Sequence, residues 1–454
     1  MNDHAPLWRP SQAEIDSSAL TAFARQASEI AGRELADYDA LHAWSVDHRE
    51  DFWSLVWEFC GVVGERGDTV LADGDRMPGA RFFPDARLNF AENLLSRSGS
   101  ADAIVFRGED KVSRRMDWDE LRALVSRLQQ WLKDQGVKPG DRVAAMMPNM
   151  PDTVAAMLAV TSMGAIWSSC SPDFGPQGVL DRFGQIEPIV FIVSDGYWYA
   201  GKRLENADKI AEVLAKLPTV KKALVVDYLG SARDVAAGID RAEALEDALS
   251  PYQAQDLSFE RLPFDHPLYI LFSSGTTGVP KAAVLSHGNV AFNAGCIAAW
   301  YDFGDDAGPI LGLAPLFHVT GLVGHIALSW ALAAPLILQY RFNAETILEA
   351  IAEYRPCFTV GAITAFIAMM GRPEATPEVF SSFRRIVSGG APIPSSVLEE
   401  FRRRTGHYIH NGYGLTETSA GIICVPSGRE APVDPASGTL SIGVPVFGVH
   451  AWIA

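Results

Sequence analysis

The distribution of apolar positions along the chain predicts alternating strands and helices from residue 103 onward. Short apolar runs bounded by turn residues predict buried strands at residues 103–106, 143–147, 189–193, 222–227, 267–272, 336–339, 357–360 and 385–388. Apolar residues at helical spacing predict intervening helices at residues 121–132, 152–165 and 207–217. Asp117 and Glu120 form a capping pattern that begins the first of these helices. This rhythm predicts an α/β protein of two similar lobes, with two stacked, mostly parallel sheets flanked by helices.

The chain before the first strand has a different pattern. Residues 38–44 and 51–60 show helical spacing, and we expect residues 1–95 to form a helical extension that packs on the core. Residues 247–263 are polar and rich in turn formers, which suggests a connection between two sheet units. We therefore expect α/β subdomains at residues 96–260 and 261–454.

Composition narrows the class of protein. The chain has 454 residues, of which 48% are hydrophobic and 20% charged, values typical of a folded globular protein. Its net charge of −17 argues against nucleic-acid binding, which needs a basic surface. Five scattered cysteines indicate neither a zinc site nor a disulfide framework, so we expect a reduced, cytoplasmic protein. A monomer and a homodimer both fit this acidic composition.

Two stretches bear on membrane targeting. The N-terminus has no basic start followed by an apolar segment, so no secretory signal is expected. Residues 319–338 are apolar but contain His325, Gly321, Gly324 and Pro335. This pattern predicts a buried helix followed by a core strand rather than a membrane span.

The strongest chemical signal follows the predicted strand at residues 267–272. The strand ends at a run of small residues that closes with a lysine, namely Ser273, Ser274, Gly275, Thr276, Thr277, Gly278 and, three residues later, Lys281. Small side chains let backbone amides converge on an anion, and the hydroxyls and the lysine add donors and positive charge. The Walker A spacing is absent. A flexible surface loop is the alternative, but it does not explain the position directly behind a buried strand, so we predict a phosphate-binding loop.

Three later segments lie at or near the ends of predicted strands, where ligands bind in open α/β sheets. Residues 314–321 contain His318, which by itself is more simply explained as a core histidine. Residues 385–392 contain two glycines that let a flat ring approach the backbone, or that form a tight turn. Residues 410–418 combine an amide, an aromatic ring, a hydroxyl and a carboxylate, a set that suits a purine, its phosphates and a divalent cation. An aromatic turn with a solvated glutamate is the alternative for this segment.

Together, in this order and spacing, the four segments resemble the adenylate-forming superfamily of acyl-CoA synthetases, luciferases and adenylation domains. The resemblance extends from about residue 80 to the end and implies an acid–thiol ligase of fatty acid and lipid metabolism that uses ATP, Mg²⁺ and CoA. It implies ATP contacts from the phosphate loop, from an adenine wall of Gly390, Ala391 and Pro392, and from Asn411, Gly412, Tyr413, Gly414, Leu415 and Thr416. By the same resemblance Asn411 bonds the adenine amino group, Tyr413 stacks on the ring and Thr416 contacts phosphate.

The resemblance also implies the reacting groups. Lys281, Thr416, Glu417 and His318 are expected to be catalytic, with Glu417 as the magnesium ligand. The acyl group is expected to contact His318, Val319, Gly361, Ala362 and Gly414, with His318 as a gate beside the acyl carboxylate.

Two branches of the superfamily are represented. Residues 77–95 are similar to acetyl- and acetoacetyl-CoA synthetases, and residues 164–175 and 195–202 resemble acetoacetyl-CoA synthetases specifically. Residues 285–290, 315–319 and 413–417 instead resemble medium- and long-chain acyl-CoA ligases. The change falls in the predicted connector, so the chain is either a natural hybrid or a fusion of two parents. Acetate-type enzymes carry a bulky tryptophan at the position of Gly414. A medium-chain, branched or cyclic acid is therefore favoured, with acetoacetate as the alternative.

The chain ends before features that full-length members of this superfamily have. These are a strand with a ribose-binding aspartate, a hinge and a small mobile domain that carries a catalytic lysine. We therefore expect the small C-terminal domain to be absent and turnover to be weak or lacking. Two further functions remain open: adenylation for an amine or carrier-protein acceptor, and non-catalytic binding of a nucleotide or acyl-AMP.

Overall fold

The computed structural model describes residues 12–76, 79–109, 112–199, 201–273, 278–301, 303, 307–446, 449 and 451–452. The chain divides into two compact units, which are Met1–Leu88 with Arg261–Phe264, and Asn89–Glu260 with Asp265–Ala454.

The first unit is mainly helical, as predicted, with short strands that the sequence pattern did not show. Its elements are α1 Gln12–Ser17, α2 Ala19–Ala31, α3 Tyr38–Asp47, α4 Arg49–Phe59, β1 Gly64–Glu65, β2 Leu71–Ala72, β3 Arg81–Phe82 and β4 Arg87–Leu88. The side chains of Ser18 and Asp37 cap α2 and α3 by accepting hydrogen bonds from backbone amides. Trp44 and Leu55 lie in a buried cluster formed by α2, α3 and α4.

The second unit contains the predicted α/β elements. Its first part comprises α5 Phe90–Leu94, β5 Asp102–Gly108, β6 Val112–Asp117, α6 Trp118–Asp134, β7 Arg142–Met146, α7 Pro151–Ser162, β8 Ile166–Cys170, α8 Pro176–Phe183, β9 Val190–Ser194, β10 Gly196–Tyr199, β11 Lys202–Glu205, α9 Ala207–Ala215, β12 Lys222–Val226, α10 Ala232–Ala237, β13 Ala242–Ala244 and α11 Leu245–Leu249. Its second part comprises β14 Pro267–Ser273, β15 Lys281–Ser286, α12 His287–Tyr301, β16 Ile310–Gly312, α13 Val319–Gly321, a π-helix Leu322–Ala327, α14 Leu328–Ala331, β17 Leu336–Gln339, α15 Ala344–Tyr354, β18 Phe358–Gly361, α16 Ile363–Met370, α17 Pro377–Phe380, β19 Arg385–Gly389, α18 Ser395–Thr405, β20 Ile409–Leu415, β21 Ala420–Cys424 and β22 Val444–Pro445.

Two large sheets form within the described residues of this unit. The first has seven strands in the order β13-β12-β9-β7-β8-β14-β15, all parallel except β15. The second has nine strands in the order β22-β21-β20-β19-β18-β16-β17-β5-β6, and its six consecutive strands from β20 to β5 are parallel. The predicted α/β class with two mostly parallel sheets is confirmed.

One hydrophobic core lies between the sheets. It contains residues of both sheets, such as Val143 on β7 and Leu336 on β17, together with helix α7, which is buried along its whole length. A buried helix is mostly apolar on all faces, and the buried Asp152 of α7 pairs with Arg114. Helix α6 begins with the predicted capping box, in which Asp117 accepts from the Glu120 amide and Glu120 accepts from the Asp117 amide.

The predicted placement of the phosphate-loop strand is wrong. Strand β14 was expected in the second lobe with residues 336–388, but it pairs with β8 of the seven-stranded sheet. The polar segment from 250 to 266 therefore joins strands of one sheet rather than two sheet units. Its residues Gln255 and Ser258 lie along α6, where the side chains of Ser126 and Gln129 bond their backbone groups.

The nine-stranded sheet also crosses the predicted boundary at residue 260, because β5 pairs with β17 and β6 forms the edge beside β5. An apolar run predicts a strand but does not specify its neighbour. The domain limits at residues 95 and 260 remain predictions.

Residues 319–338 form a succession of short helical segments followed by strand β17, as predicted. In the part of the chain that the structure describes, no helix has the length and apolar character needed to cross a membrane.

A buried asparagine fixes the start of the second unit. The Asn89 side chain is fully buried, and its amide nitrogen lies 3.2, 3.0 and 3.1 Å from the carbonyl oxygens of Thr161, Ser162 and Glu260. Its oxygen also caps α5 by accepting from two backbone amides. One side chain thus ties α5, the end of α7 and the connecting segment together.

We predict that Asn89→Ala lowers the free energy of unfolding by about 3 kcal/mol, because several buried polar groups lose their partners. The control is Asn343→Ala, since Asn343 caps α15 in the same way. Loss of a cap costs about 1 kcal/mol. Urea unfolding measures the free energy of unfolding of both variants. Equal decreases would show that the contacts of Asn89 with the three carbonyl groups do not stabilise the protein.

Candidate active site

The predicted phosphate loop connects two antiparallel strands. Ser273, at the end of β14, pairs with Lys281, at the start of β15. The end of the loop is held by Gln185, which donates to the carbonyl oxygen of Pro280 at 3.0 Å. Ser274, Gly275, Thr276 and Thr277 lie outside the described residues, while Gly278 and Lys281 are exposed. The strand predicted before the loop is confirmed, and Lys281 stands where its charge faces solvent.

The other predicted segments leave adjacent parallel strands at one edge of the nine-stranded sheet. In sheet order, β20 carries residues 411–415, β19 is followed by 390–392, β18 by Ala362, and β16 by 313–318. Because parallel strands lie about 4.8 Å apart, these segments span roughly 14 Å of the sheet edge. The topology brings together what the sequence separates by about a hundred residues.

Two glycines at the end of β19 have distinct roles. Gly390 has a φ of +84°, a left-handed conformation that suits glycine. Gly389 lies against β20, and a Cβ there would stand 3.0 Å from the carbonyl oxygen of Gly412. Ala391 and Pro392 follow on the exposed side of this turn. The backbone here is open on one face, as an adenine wall requires.

Asn411 and Tyr413 are presented differently on β20. The Asn411 side chain is 2% exposed, and its amide nitrogen donates to the carbonyl oxygen of Ser441 at 3.2 Å. Its side-chain oxygen is therefore the atom that can accept from a ligand amino group. Tyr413 is 41% exposed, so part of its ring is accessible. The sequence did not indicate Ser441, since a backbone carbonyl carries no signal in the side-chain pattern.

The turn after β20 carries Thr416 and Glu417 and is held by Thr418. The Thr418 hydroxyl accepts from the Leu415 amide at 2.8 Å and lies 2.9 Å from the carbonyl oxygen of Ala420. Ser419 and Ala420 have φ values of +59° and +102°, which are strained for residues with a side chain. Such strain concentrates at functional sites and persists only where neighbouring contacts enforce it.

Asn293, which sequence reasoning missed, holds this turn from another part of the chain. It lies on α12, the helix that follows β15, and its amide donates to the carbonyl oxygens of Thr418 at 3.4 Å and Gly421 at 3.0 Å. Farther along α12, Trp300 donates to the carbonyl oxygen of Val425 at 3.1 Å. Helix α12, which follows β15, is thereby fixed to the hairpin with the predicted ATP and magnesium residues.

The predicted acyl-binding residues divide into two groups. His318, Val319, Gly361 and Ala362 leave the neighbouring strands β16 and β18, with His318 and Ala362 exposed and the other two buried. Gly414 lies on β20, two strands from β18. A Cβ at Gly414 would overlap the carbonyl group of Ala420. The hairpin itself therefore needs glycine at 414, and the extra room for an acyl chain remains a prediction.

The carboxylate predicted to bind magnesium is accessible. Glu417 is exposed, and no cluster of three or more metal-ligating side chains occurs among the described residues. Mg²⁺ in phosphate-transferring sites is commonly held by one or two carboxylates and the substrate phosphates. The exposed Glu417 carboxylate, together with the phosphates of a bound nucleotide, fits that donor set.

Burial keeps two histidines near the site neutral. It lowers the pKa of His410, on β20, to about 4 and that of His325, in the π-helix, to about 3. His410 nevertheless lies 3.3 Å from the carbonyl oxygen of Ile386, so its ring joins β20 to β19. Neutral rings act here as fixed hydrogen-bonding groups rather than as charges.

We predict that Gly414→Ala lowers the free energy of unfolding by at least about 2 kcal/mol, because the hairpin must open to accommodate the methyl group. Gly412→Ala is the matched control, since its Cβ would be 3.5 Å from the Cys424 sulfur, an ordinary contact. The free energy of unfolding of Gly412→Ala should decrease by less than about 1 kcal/mol. Urea unfolding measures the free energies of unfolding of the two variants, and equal values would contradict the hairpin geometry.

We also predict that His410 makes the protein less stable in mild acid. Its pKa of about 4 lies below the ordinary value of 6.5, so between these values the unfolded chain binds more protons. Near pH 5, the contribution of this residue to the free energy of unfolding should therefore decrease by about 1 kcal/mol for each unit by which the pH is lowered. Urea unfolding from pH 4.5 to 7 should show a flatter profile for His410→Gln, and parallel profiles would contradict the prediction.

Two family models match the chain. The model "AMP-binding enzyme" matches residues 92–454, and "Acetyl-coenzyme A synthetase N-terminus" matches residues 38–94. The acetoacetyl-coenzyme A synthetase of Rhizobium meliloti is 59% identical over 290 residues, which cover 63% of this chain and 44% of that protein. The acetoacetyl-CoA synthetase of Macaca fascicularis is 38% identical over 293 residues, covering 62% and 43%. The chain thus matches less than half the length of these relatives.

The fold extends further than these sequence matches. The structure of acetoacetyl-CoA synthetase from Streptomyces lividans superposes with a TM-score of 0.77 at 29% identity, covering 97% of this chain and 68% of that one. The predicted resemblance is thus confirmed: the chain belongs to the AMP-binding, adenylate-forming enzyme family.

Proposed function

We propose that this protein activates a carboxylic acid with ATP to form an acyl-adenylate and transfers the acyl group to CoA. The observation that carries the proposal is the edge of the nine-stranded sheet, where an exposed glycine turn, an aromatic ring and an exposed carboxylate follow the adjacent strands β19 and β20. Asn293 connects this edge to helix α12, which follows the strand β15 that begins at Lys281. Membership of the AMP-binding family supports the same chemistry.

The first step joins the acid to the nucleotide. A carboxylate oxygen attacks the α-phosphorus of ATP, the bond from that phosphorus to the bridging oxygen breaks, and pyrophosphate leaves. Negative charge develops on the phosphate oxygens, so Lys281 and the backbone amides of its loop are proposed to stabilise it. Mg²⁺ bound through Glu417 and the phosphates would neutralise further charge there.

Other residues bind and orient the nucleotide. Tyr413 is proposed to stack on the adenine, which lies along Gly390, Ala391 and Pro392, while the Asn411 oxygen accepts from the amino group. Thr416 is proposed to contact phosphate, and His318 to lie beside the acyl carboxylate. In the second step the CoA sulfur attacks the acyl carbonyl carbon, AMP leaves, and the thiol proton passes to solvent.

Acetoacetate is the first candidate for the acid. The curated relatives, which match 62 to 63% of this chain, are named as acetoacetyl-CoA synthetases. The close packing of Gly414 against Ala420 also weakens the argument for a larger pocket. A medium-chain, branched or cyclic acid is the second candidate, supported by the resemblance of residues 285–290 and 413–417 to medium- and long-chain ligases.

We predict that the protein, with ATP and Mg²⁺, forms acyl-AMP from acetoacetate in preference to octanoate and acetate. Mass spectrometry of the nucleotide products detects each adduct directly. Preferential octanoyl-AMP would favour the second candidate. ATP-dependent thermal stabilisation without any acyl-AMP would contradict adenylation itself and leave a nucleotide-binding protein.

Lys281→Ala and Glu417→Ala should each lower acyl-AMP formation at least about tenfold, because charge on the transferring phosphate loses a partner. Both side chains are exposed, so the fold should persist. Lys216→Ala is the control, since this lysine pairs with Glu212 on the surface of α9. Equal rates for all three variants would contradict the assigned roles.

A further inference from the structure

The loop that carries His318 is held by two buried side chains from other elements. Asn149 is 6% exposed, and its side-chain oxygen accepts from the Leu316 amide at 2.7 Å. Its nitrogen lies 3.5 Å from the carbonyl oxygen of Ala314. His325 is fully buried, and its Nε2 accepts from the Ala314 amide at 3.0 Å. The two side chains thus pair the polar backbone groups on both sides of Pro315.

These side chains approach from different directions. Asn149 follows β7 of the seven-stranded sheet, whereas His325 lies in the π-helix after the loop. The start of that helical segment also packs directly on the loop, since a Cβ at Gly321 would overlap the carbonyl oxygen of Pro315. π-Helical turns occur mostly as isolated insertions and often at functional sites.

His318 is tied to the held part of the loop. Its backbone amide donates to the carbonyl oxygen of Pro315 at 3.0 Å, and its ring Nδ1 accepts from the Thr320 amide at 3.2 Å. The position of the His318 ring therefore follows from the conformation of residues 314–316. Asn149 and His325 determine that conformation without reaching the exposed side on which His318 lies.

His325 can perform this role over a wide pH range. Its Nε2 accepts a hydrogen bond, so the ring proton belongs on Nδ1. Burial lowers its pKa to about 3, so the ring stays neutral and the acceptor remains available at ordinary pH.

We propose that Asn149 and His325 are positioning residues of the acyl site, which set the place of His318 and thereby the acyl group that is accepted. This inference rests on the proposed function, in which His318 lies beside the acyl carboxylate. Neither residue touches the acid in this scheme. Their effect should appear in the binding of the acyl part of the adenylate and not in that of the nucleotide part.

Calorimetric titration of the whole chain tests this with three probes: AMP, and the sulfamoyl adenosines of acetoacetate and octanoate. In Asn149→Leu and His325→Leu we expect the Kd of the preferred acyl analogue to rise about tenfold, as the loss of a buried hydrogen bond predicts. The Kd of AMP should change less than about twofold. His325→Gln, whose amide oxygen can accept from Ala314, should restore most of the acyl affinity.

Ser329→Ala is the control for a general loss of stability. Ser329 is buried in α14, and its hydroxyl donates to the carbonyl oxygen of Ala334 at 2.7 Å, away from the loop. This variant should unfold at a lower temperature but keep the ratio of acyl-analogue to AMP affinity. If the leucine variants do not fold, the ratio of acyl-analogue to AMP affinity is measured in His325→Asn instead. Its shorter side chain does not reach the Ala314 amide.

Each result decides the proposal. Unchanged acyl affinity, or an equal loss of AMP and acyl affinity, would show that Asn149 and His325 only stabilise the fold and would overturn it. A wild-type protein that binds AMP but neither acyl analogue would overturn the proposed function as well. That failure is seen before any variant is made, so the two are distinguishable.

Discussion

The candidate site depends on the parallel pairing of β20, β19, β18 and β16. In this register Ser388 lies opposite both Gly361 and Asn411, so the loops that follow are aligned within a few ångströms along the sheet edge. Parallel strands point all their carboxyl ends the same way, which gathers residues far apart in sequence. An antiparallel neighbour in this row would have sent its loop to the opposite edge.

Buried amides and an imidazole then fix the loops that the pairing only gathers. Asn293 bonds the hairpin that bears Thr416 and Glu417, while Asn149 and His325 bond the loop that bears His318. Each pairs backbone groups that would otherwise be buried without a partner. The seven-stranded sheet supplies the chain segments behind the phosphate loop and around Asn149. The site is therefore a property of both sheets together.

Many of the individual elements could be predicted from local sequence patterns. Apolar runs, the Asp117 capping box and the small-residue run after residue 272 are each decided by neighbours within a few positions. Sheet membership was not readable, and β14 was placed in the wrong lobe, since an apolar strand fits any buried slot. The meaning of Gly414 also needed the structure, because only there does the Ala420 carbonyl group lie against its Cα.

The sequence by itself determined the α/β class and the helical N-terminal region, and it predicted the segments of a candidate nucleotide site. Tertiary structure decided which strands are neighbours, which backbone groups Asn293, Asn149 and His325 hold, and which predicted side chains are exposed. The reason is physical. Local patterns record burial and backbone preference, whereas a contact between distant residues depends on how whole sheets pair and pack.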